Sequence, residues 1–360
     1  MLSPKILRSL IFLLWLAIAA ANVPAQNSRA SSAASYLERG NEWLVKGELD
    51  RAISDYDLAI AFDGSIALGY YNRGVARQRK DDLAGAIRDY DRAIELNPRY
   101  ADAYVNRGSV RYRQGQFDAA IDDFDKAIEL NPRDAKAWSN RGKARGERGD
   151  LTAAIRDFDQ AIKLDSHNAG IWNNRCLARY RQGALDAAIA DCDRATKLDS
   201  RLALAWNNRA AALQEKDRLD AALADYDRAI ALDPQQAAFY INRSGAWLRK
   251  REPERALDDL DRAIALDPRL AAAWYTRGAA WFAKKDLARA VADFDEALRL
   301  NPRMANAYAG RGAVWLMQDN LEKAEADFAR CRALGETLTP EAEWLLQETR
   351  RRHGAQAVRR

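Results

Sequence analysis

A 34-residue period constrains this chain more than any other feature of its sequence. The tripeptide Asn106-Arg107-Gly108 recurs one period later as Asn140-Arg141-Gly142, and it occurs one period earlier as Asn72-Arg73-Gly74. Arginine holds the central place in nine consecutive units, without insertion or deletion: Arg39, Arg73, Arg107, Arg141, Arg175, Arg209, Arg243, Arg277 and Arg311. Nine such units fill residues 33–338, and this period predicts a stack of repeated units.

Each unit carries two apolar patterns of helical period. In the third unit Tyr104 begins the first pattern and Phe124 lies in the second, with a short turn around Gly115 between them. Asn131-Pro132 ends the second pattern and places Pro near the first turn of the next helix, where its missing N–H costs little. We therefore predict a helix hairpin that buries its apolar face only against neighbouring hairpins.

In its length and in its order of aromatic, small and proline places, the unit resembles the tetratricopeptide repeat. The resemblance covers residues 33–338, and the main departure is an arginine in all nine units where the family usually has an apolar residue. It implies an all-α fold: a right-handed superhelical solenoid of antiparallel helix pairs. The first helix of each pair would then line a concave groove.

The two ends of the chain differ from the repeats. Residues 1–25 contain Lys5, Arg8, the apolar run Leu10–Ala21 and small residues up to Ala25, which together predict a secretory signal peptide cleaved near Ala21 or Ala25. The run is short for a membrane span, but an uncleaved anchor remains the alternative and would be the only membrane contact. We therefore expect an exported protein, periplasmic or secreted, with residues 26–32 as a short tether.

Residues 339–360 predict a capping helix followed by a basic tail. Thr339 and Pro340 suit the N-cap and first position of a helix that would run to about Arg352. We expect Trp344 and Leu345 to cover the exposed face of the last repeat.

Charge and motifs exclude several classes of function. The formal net charge is +5, but seven basic residues lie in the two ends, so the repeats are nearly neutral and no nucleic-acid partner is expected. The two histidines, His167 and His353, do not form a pair with metal-ligand spacing, so no metal is expected. No phosphate loop or nucleophile motif is present, and we predict neither a cofactor nor an enzyme.

Asparagine precedes the repeated arginine in six consecutive units, and these residues are called the asparagine series: Asn72, Asn106, Asn140, Asn174, Asn208 and Asn242. An asparagine amide can pair with both the C=O and the N–H of an extended peptide, and superhelical members of the family hold peptide backbones in this way. Nearby residues would adjust selectivity: Tyr71, Lys136, Lys143, Asn173 and Asn207. The alternative is that each asparagine only bonds a neighbouring helix or persists from repeat duplication.

Two further sets of residues predict structural contacts. An aspartate recurs sixteen places after each arginine, so we predict structural ion pairs such as Arg107 with Asp123 and Arg141 with Asp157. Cys176 and Cys192 replace packing partners on the facing helices of one hairpin, which predicts a disulfide in an exported protein. The alternative is that Cys176 and Cys192 are two small buried thiols. A buried thiol is also what we expect of Cys331.

These observations predict an exported, non-catalytic scaffold that binds a protein or an extended peptide in the concave groove. The alternative is a structural component of an envelope or secretion complex that acts through its convex face or its edges. An enzyme is the third possibility, and it lacks a catalytic constellation in this sequence.

Overall fold

The structure is a computed structural model that describes residues 32–358, with side chains described as far as His353. These residues form helices and short connections, and no β-strand occurs among them. The predicted signal peptide, all but the last residue of the tether, and Arg359 and Arg360 of the tail lie outside the described residues. The chain divides into two compact units between Ser166 and His167.

The N-terminal unit consists of helix hairpins, each made by one 34-residue repeat. Its helices are α1 (32–46), α2 (Leu49–Phe62), α3 (Ala67–Arg79), α4 (Leu83–Leu96), α5 (Ala101–Arg113), α6 (Phe117–Leu130), α7 (Ala135–Glu147) and α8 (Leu151–Leu164). Odd-numbered helices are the first helices of the hairpins, and even-numbered helices are the second.

The C-terminal unit continues the pattern with five hairpins and one additional helix among its described residues. Its helices are α9 (Ala169–Arg181), α10 (Leu185–Leu198), α11 (Ala203–Glu215), α12 (Leu219–Leu232), α13 (Ala237–Arg249), α14 (Pro253–Leu266), α15 (Ala271–Ala283), α16 (Leu287–Leu300), α17 (Ala305–Met317), α18 (Leu321–Ala333) and α19 (Pro340–Val358). In each unit, neighbouring first helices contact one another directly, as α5 contacts α7 and α9 contacts α11. The first helices therefore form a continuous face in each unit.

A small residue on the first helix and a large one on the second hold most of the hairpins together. A Cβ added to Gly108 would lie 2.8 Å from Cε1 of Phe124, which is closer than real Cβ contacts allow. Phe124 is fully buried, together with Ala120 and Ala127 on the same helix. The predicted small and aromatic places therefore set the close approach of the two helices, because a larger first-helix residue would force them apart.

The turn inside each hairpin needs one residue with a left-handed backbone. Glycine supplies this conformation in several repeats, such as Gly115 with φ of +73° and Gly149 with φ of +92°. Other repeats use residues with a side chain at the same place, including Arg251 with φ of +61° and Lys285 with φ of +63°. Those repeats carry local backbone strain that glycine avoids.

The last helix covers the end of the repeats, with one of the two residues expected. The N–H of Ala342 donates to Oγ1 of Thr339 at 3.2 Å, and α19 extends beyond Arg352 to Val358. Leu346 is 1% exposed and packs on the last repeat, with Leu345 beside it. Trp344 is 61% exposed, so the expectation that it covers the repeat is wrong: one helical position of about 100° turns it away from the buried face.

Candidate peptide-binding face

Within the N-terminal unit, the asparagine series lies half-buried on the first-helix face. Each amide donates one N–H to the first helix of the preceding repeat. The hydrogen bonds are Asn72 Nδ2 to Asn41 Oδ1 at 2.9 Å, Asn106 Nδ2 to the Tyr71 hydroxyl at 3.0 Å, and Asn140 Nδ2 to Ser109 Oγ at 3.3 Å. A side-chain amide carries two N–H groups, so Asn72 and Asn140 each have a second one to donate.

In the C-terminal unit the amides form a connected cluster. Asn242 Nδ2 donates to Asn207 Oδ1 at 2.9 Å, and Asn207 Nδ2 donates to Asn208 Oδ1 at 3.3 Å. Asn208 Nδ2 then donates to Asn173 Oδ1 at 3.0 Å. The four residues Asn173, Asn207, Asn208 and Asn242 are called the amide cluster, and they join α9, α11 and α13. Asn174 is half-buried beside them on α9.

These hydrogen bonds are the ones expected under the alternative interpretation, in which each asparagine only bonds a neighbouring helix. They are compatible with ligand binding as well, since an amide fixed by one hydrogen bond is oriented in advance for a second. The burial differs within the cluster: Asn173 is 6% and Asn207 is 8% exposed, whereas Asn208 and Asn242 are half-buried. A ligand would therefore meet Asn208 and Asn242 first.

A cavity of about 410 Å³ opens in the N-terminal unit where the third and fourth repeats meet. It brings together three of the predicted binding residues: Tyr71, Asn106 and Lys136. The rest of its lining comprises Asp102, Val105, Asn131, Arg133, Asp134 and Ala135. Sequence reasoning overlooked Asp102, although it lies one full period before Lys136 and so holds the same place in its repeat.

Tyr71 connects this cavity to the core of its unit. Its ring centroid lies 4.8 Å from that of Tyr100 and 5.9 Å from that of Tyr90. Burial raises the pKa of the Tyr71 phenol, and the nearby charge of Asp102 raises it further. The hydroxyl therefore stays protonated at neutral pH, where it accepts from Asn106 and keeps a proton to donate.

Lys136 and Lys143 lie two turns apart on α7. Lys143 is half-buried, and its Nζ lies 5.7 Å from the ring centroid of Tyr112 on α5. Burial lowers the pKa of Lys143, and the charge of Lys136 adds to this effect. The first-helix face therefore carries a partly desolvated cation close to the asparagine series.

The repeated arginines form ion pairs inside the hairpins. Arg107 binds Asp123 through two nitrogens, with Nη2 2.6 Å from Oδ1 and Nε 3.1 Å from Oδ2, and the Asp123 side chain is 3% exposed. Arg141 Nη2 lies 2.7 Å from Oδ1 of Asp157. Burial raises the pKa of Asp123, and the hydrogen bond from Arg107 opposes that shift. Buried bidentate pairs of this kind fix the register of the two helices.

Sequence reasoning missed the second carboxylate that these arginines bind. Arg107 Nη1 also lies 2.6 Å from Asp91 of the preceding repeat, and Arg141 Nη1 lies 2.5 Å from Asp125. The signal was available: an aspartate follows two places after each buried aspartate in the first eight repeats, and the ninth has Ala329 instead. No repeat follows the ninth, so no arginine needs that carboxylate.

Cys176 and Cys192 form a disulfide between α9 and α10, with a Cα–Cα distance of 5.5 Å. Both residues are fully buried. Cys331 is a buried free cysteine, and burial raises the pKa of its thiol. Its reactivity is therefore suppressed, since the thiolate is the nucleophilic form.

The part of the chain that the structure describes has no helix with the length and apolar content needed to cross a bilayer. Between residues 32 and 358, no group of three or more His, Cys, Asp or Glu side chains is arranged to hold a metal ion.

Comparison with solved structures identifies the same architecture at low sequence identity. A tetratricopeptide repeat protein from Parabacteroides merdae aligns with a TM-score of 0.56 and 19% identity, over 69% of this chain and 98% of that one. The APC/C hetero-tetramer Cut9–Hcn1 aligns with a TM-score of 0.63 and 15% identity, over 88% of this chain and 76% of that one. PilF of Pseudomonas aeruginosa aligns with a TM-score of 0.52 and 18% identity, over 59% of this chain and 96% of that one.

Sequence comparison points to one family. No curated protein matches the chain. Models described as tetratricopeptide repeat match residues 101–134, 139–203, 203–236 and 271–304, and one described as TPR repeat matches 79–115. Together these matches span just over half of the sequence, and three of them, 101–134, 203–236 and 271–304, each cover one hairpin. The chain therefore belongs to the tetratricopeptide repeat family.

Proposed function

We propose that this chain is an exported scaffold without catalytic activity that binds an extended segment of a partner protein along its first-helix face. The observation that carries the proposal is the presence of one half-buried amide per repeat on the first-helix face of each unit, in repeats two to four of the N-terminal unit and in repeats five to seven of the C-terminal unit. Neighbouring helices pack about 8–10 Å apart, which corresponds to roughly three residues of an extended chain. One amide per repeat would then meet the backbone of the segment at every third residue.

The cavity beside Asn106 supports this proposal because it offers room for one side chain of the segment. Lys136 and Asp102 line it with opposite charges, and Tyr71, whose hydroxyl accepts from Asn106, lines it as well. Polar walls of mixed charge favour a polar side chain, whose type they would select. The side-chain amides of the asparagine series would supply most of the affinity, and this cavity would supply selectivity.

Export is supported by two independent features. Residues 1–25 combine basic, apolar and small residues in the order of a signal peptide. The Cys176–Cys192 disulfide suits an oxidising compartment and is unusual for a cytosolic protein. We infer that the mature chain functions in the periplasm or outside the cell.

A second candidate function follows from the surface of α19. Trp344 is exposed beside an apolar cavity of about 500 Å³ that Pro340, Glu341 and Leu345 also line. A scaffold that joins an envelope complex through this end would leave the first-helix face empty. Its asparagines would then serve only to bond neighbouring helices.

A matched pair of variants separates the two functions. Asn140→Ala removes the amide and its bond to Ser109, whereas Ser109→Ala removes the same bond and leaves the amide. A peptide selected from a random library on the wild-type chain is the ligand. We expect Asn140→Ala to weaken its binding about tenfold and Ser109→Ala to have little effect. Equal affinity for both variants would contradict recognition by the amide.

A further inference from the structure

The fifth hairpin lacks the aromatic ring that holds most of the others together. In the other repeats the large second-helix residue at this place is at most 2% exposed: Tyr56, Tyr90, Phe124, Phe158, Tyr226, Leu260, Phe294 and Phe328. Six of these eight repeats place glycine opposite, at Gly40, Gly74, Gly108, Gly142, Gly278 and Gly312. The fifth repeat has Cys192 at the large place and Cys176 at the small one.

The disulfide takes over the role of the missing ring. Cys176 and Cys192 are both fully buried, and their neighbours in the core are mainly small or partly exposed: Ala188, Ala212, Ile189 and Tyr180. A covalent bond between α9 and α10 holds the helices at the distance that a ring sets elsewhere. Two separate thiols would fill less space than a glycine and a phenylalanine, so the apolar core of this hairpin would be underpacked. The two helices would then be joined mainly by Asp191, which binds Arg175 and Arg179.

The same hairpin anchors the amide cluster. Asn173 lies on α9 three residues before Cys176, and its Oδ1 accepts from Asn208 on α11. Asn208 in turn accepts from Asn207, which bonds Asn242 on α13. Any loosening of α9 from α10 therefore removes the first member of a connected hydrogen-bond network, and such networks lose more than one bond when a member moves.

We propose that oxidation of Cys176 and Cys192 is a gate on the C-terminal unit: its first-helix face is fully assembled only in the disulfide form. In the reduced chain the fifth hairpin would open locally, although the other hairpins keep their large buried residue on the second helix. The gate concerns the folding of the face, and its consequence for peptide binding rests on the proposed function.

The chemistry of the gate is a thiol–disulfide exchange. A thiolate of one cysteine attacks a disulfide of an oxidant, such as glutathione disulfide, and releases one thiol of that oxidant. The second cysteine then attacks the mixed disulfide, which forms the Cys176–Cys192 bond and releases the second thiol. The protein loses two electrons and two protons, and the oxidant gains them. A chain held reduced before export would thus have an incomplete face.

Hydrogen exchange of the full mature chain tests the gate without a ligand. The chain is unfolded in urea and refolded with either glutathione disulfide or a phosphine reductant, and amide protection is then compared helix by helix. A disulfide that closes a loop of about 15 residues should change protection in α9 and α10 roughly a hundredfold. Helices α3 to α6 serve as the internal control and should keep equal protection in both forms.

Two variants make the test specific to the core. Cys176→Gly with Cys192→Phe recreates the glycine and phenylalanine of the third repeat, so it should be protected equally in both conditions. Cys176→Ala with Cys192→Ala should resemble the reduced wild type in both. The proposal is overturned if amide protection in α9 and α10 is equal in the reduced and the oxidised wild type. It is also overturned if the alanine variant is protected to the same degree as the oxidised wild type. The wild-type comparison decides the matter even if the phenylalanine variant fails to fold.

Discussion

Repeats two to five and repeats seven to nine place a cation against the same part of the hairpin by different means. In repeats two to five it comes from the first helix, where a second arginine reaches the buried aspartate: Arg77, Arg111, Arg145 and Arg179 bind Asp89, Asp123, Asp157 and Asp191. In repeats seven to nine that place holds tryptophan, and a second-helix cation stacks on its ring: Trp247 with Arg255, Trp281 with Arg289 and Trp315 with Lys323.

The facing residue changes together with the first-helix residue. Where the first helix has arginine, the second helix has a residue without a long side chain: Gly85, Ala119, Ala153 or Ala187. Arg111 uses the open space to approach the Ala119 carbonyl, with Nη1 3.4 Å from the oxygen. Where the first helix has tryptophan, the second helix has arginine or lysine, whose cation lies 4.3–4.6 Å from the ring centroid. The place beside the buried ion pair can thus hold either a second arginine that binds the aspartate or a tryptophan covered by a second-helix cation, and none of these seven repeats has both.

The largest effect is expected from loss of a buried carboxylate in the doubly paired repeats. Asp123→Asn should cost about 3–5 kcal/mol of unfolding free energy, because Arg107 and Arg111 both lose their buried anion. Asp293→Asn in the eighth repeat should cost less, since Arg277 is the only arginine paired with it among the described side chains. Urea denaturation followed by local hydrogen exchange measures both.

The control for this comparison is Asp91→Asn. Asp91 binds the same Arg107 but its side chain is 42% exposed, so its loss should cost about 1 kcal/mol or less. Equal losses for Asp91→Asn and Asp123→Asn would show that burial does not determine the value of these pairs.

A smaller effect is expected when one type of hairpin is converted into the other. Arg111→Trp and Ala119→Arg together give the third repeat the residues of the eighth. Each change alone should destabilise, because the first removes a cation from Asp123 and the second brings two arginines together. The double variant should recover roughly 1–2 kcal/mol relative to the sum of the single changes. If the two losses of unfolding free energy simply add in the double-mutant cycle, the tryptophan–cation contact cannot replace the second arginine–aspartate pair.

Removing the cation from a tryptophan-type hairpin should cost less again. Arg289 lies 4.3 Å from the ring centroid of Trp281, and its side chain is largely exposed. Arg289→Ala is expected to cost about 0.5–1 kcal/mol. Arg228→Ala is the matched control, since no ring contact of Arg228 is found among the described side chains, and its loss should have a negligible effect on thermal unfolding.

An effect of similar size is expected at the turn inside the hairpin, where repeats three to five have glycine and repeats six to nine do not. Arg251 has φ of +61°, a conformation that glycine adopts without steric cost. Arg251→Gly should therefore stabilise the seventh hairpin by about 0.5–1 kcal/mol. Gly149→Ala in the fourth repeat should destabilise by a similar amount, and a gain in that variant would contradict the explanation.

Much of the fold was predictable because the period fixes the local environment of each place. The Arg107–Asp123 pair follows from two residues that lie equally far from one turn, so it needs no knowledge of neighbouring repeats. Its bridge to Asp91 requires the packing of one repeat on the next, which the spacing alone does not give. The end of the chain was less predictable: Trp344 and Leu346 differ by two positions, and only the direction of α19 decides which one is buried.

The asparagine series shows a different limit. A regular polar residue on one helix face indicates that the face matters, but not which bonds its amides make. The structure gives Asn140 a partner in Ser109 and gives Asn242 one in Asn207. Sequence reasoning had no signal for these partners, because they depend on how far neighbouring first helices are displaced along their axes.

The central claim is that first-helix amides hold the backbone of an extended segment. A scan of backbone N-methylation along the peptide selected on the wild-type chain tests it most directly, because each methyl group removes one N–H and leaves the side chains unchanged. The account predicts a loss of affinity at about every third residue, together with small effects from alanine replacement of most side chains. Affinity that follows the side chains and is indifferent to N-methylation would contradict it.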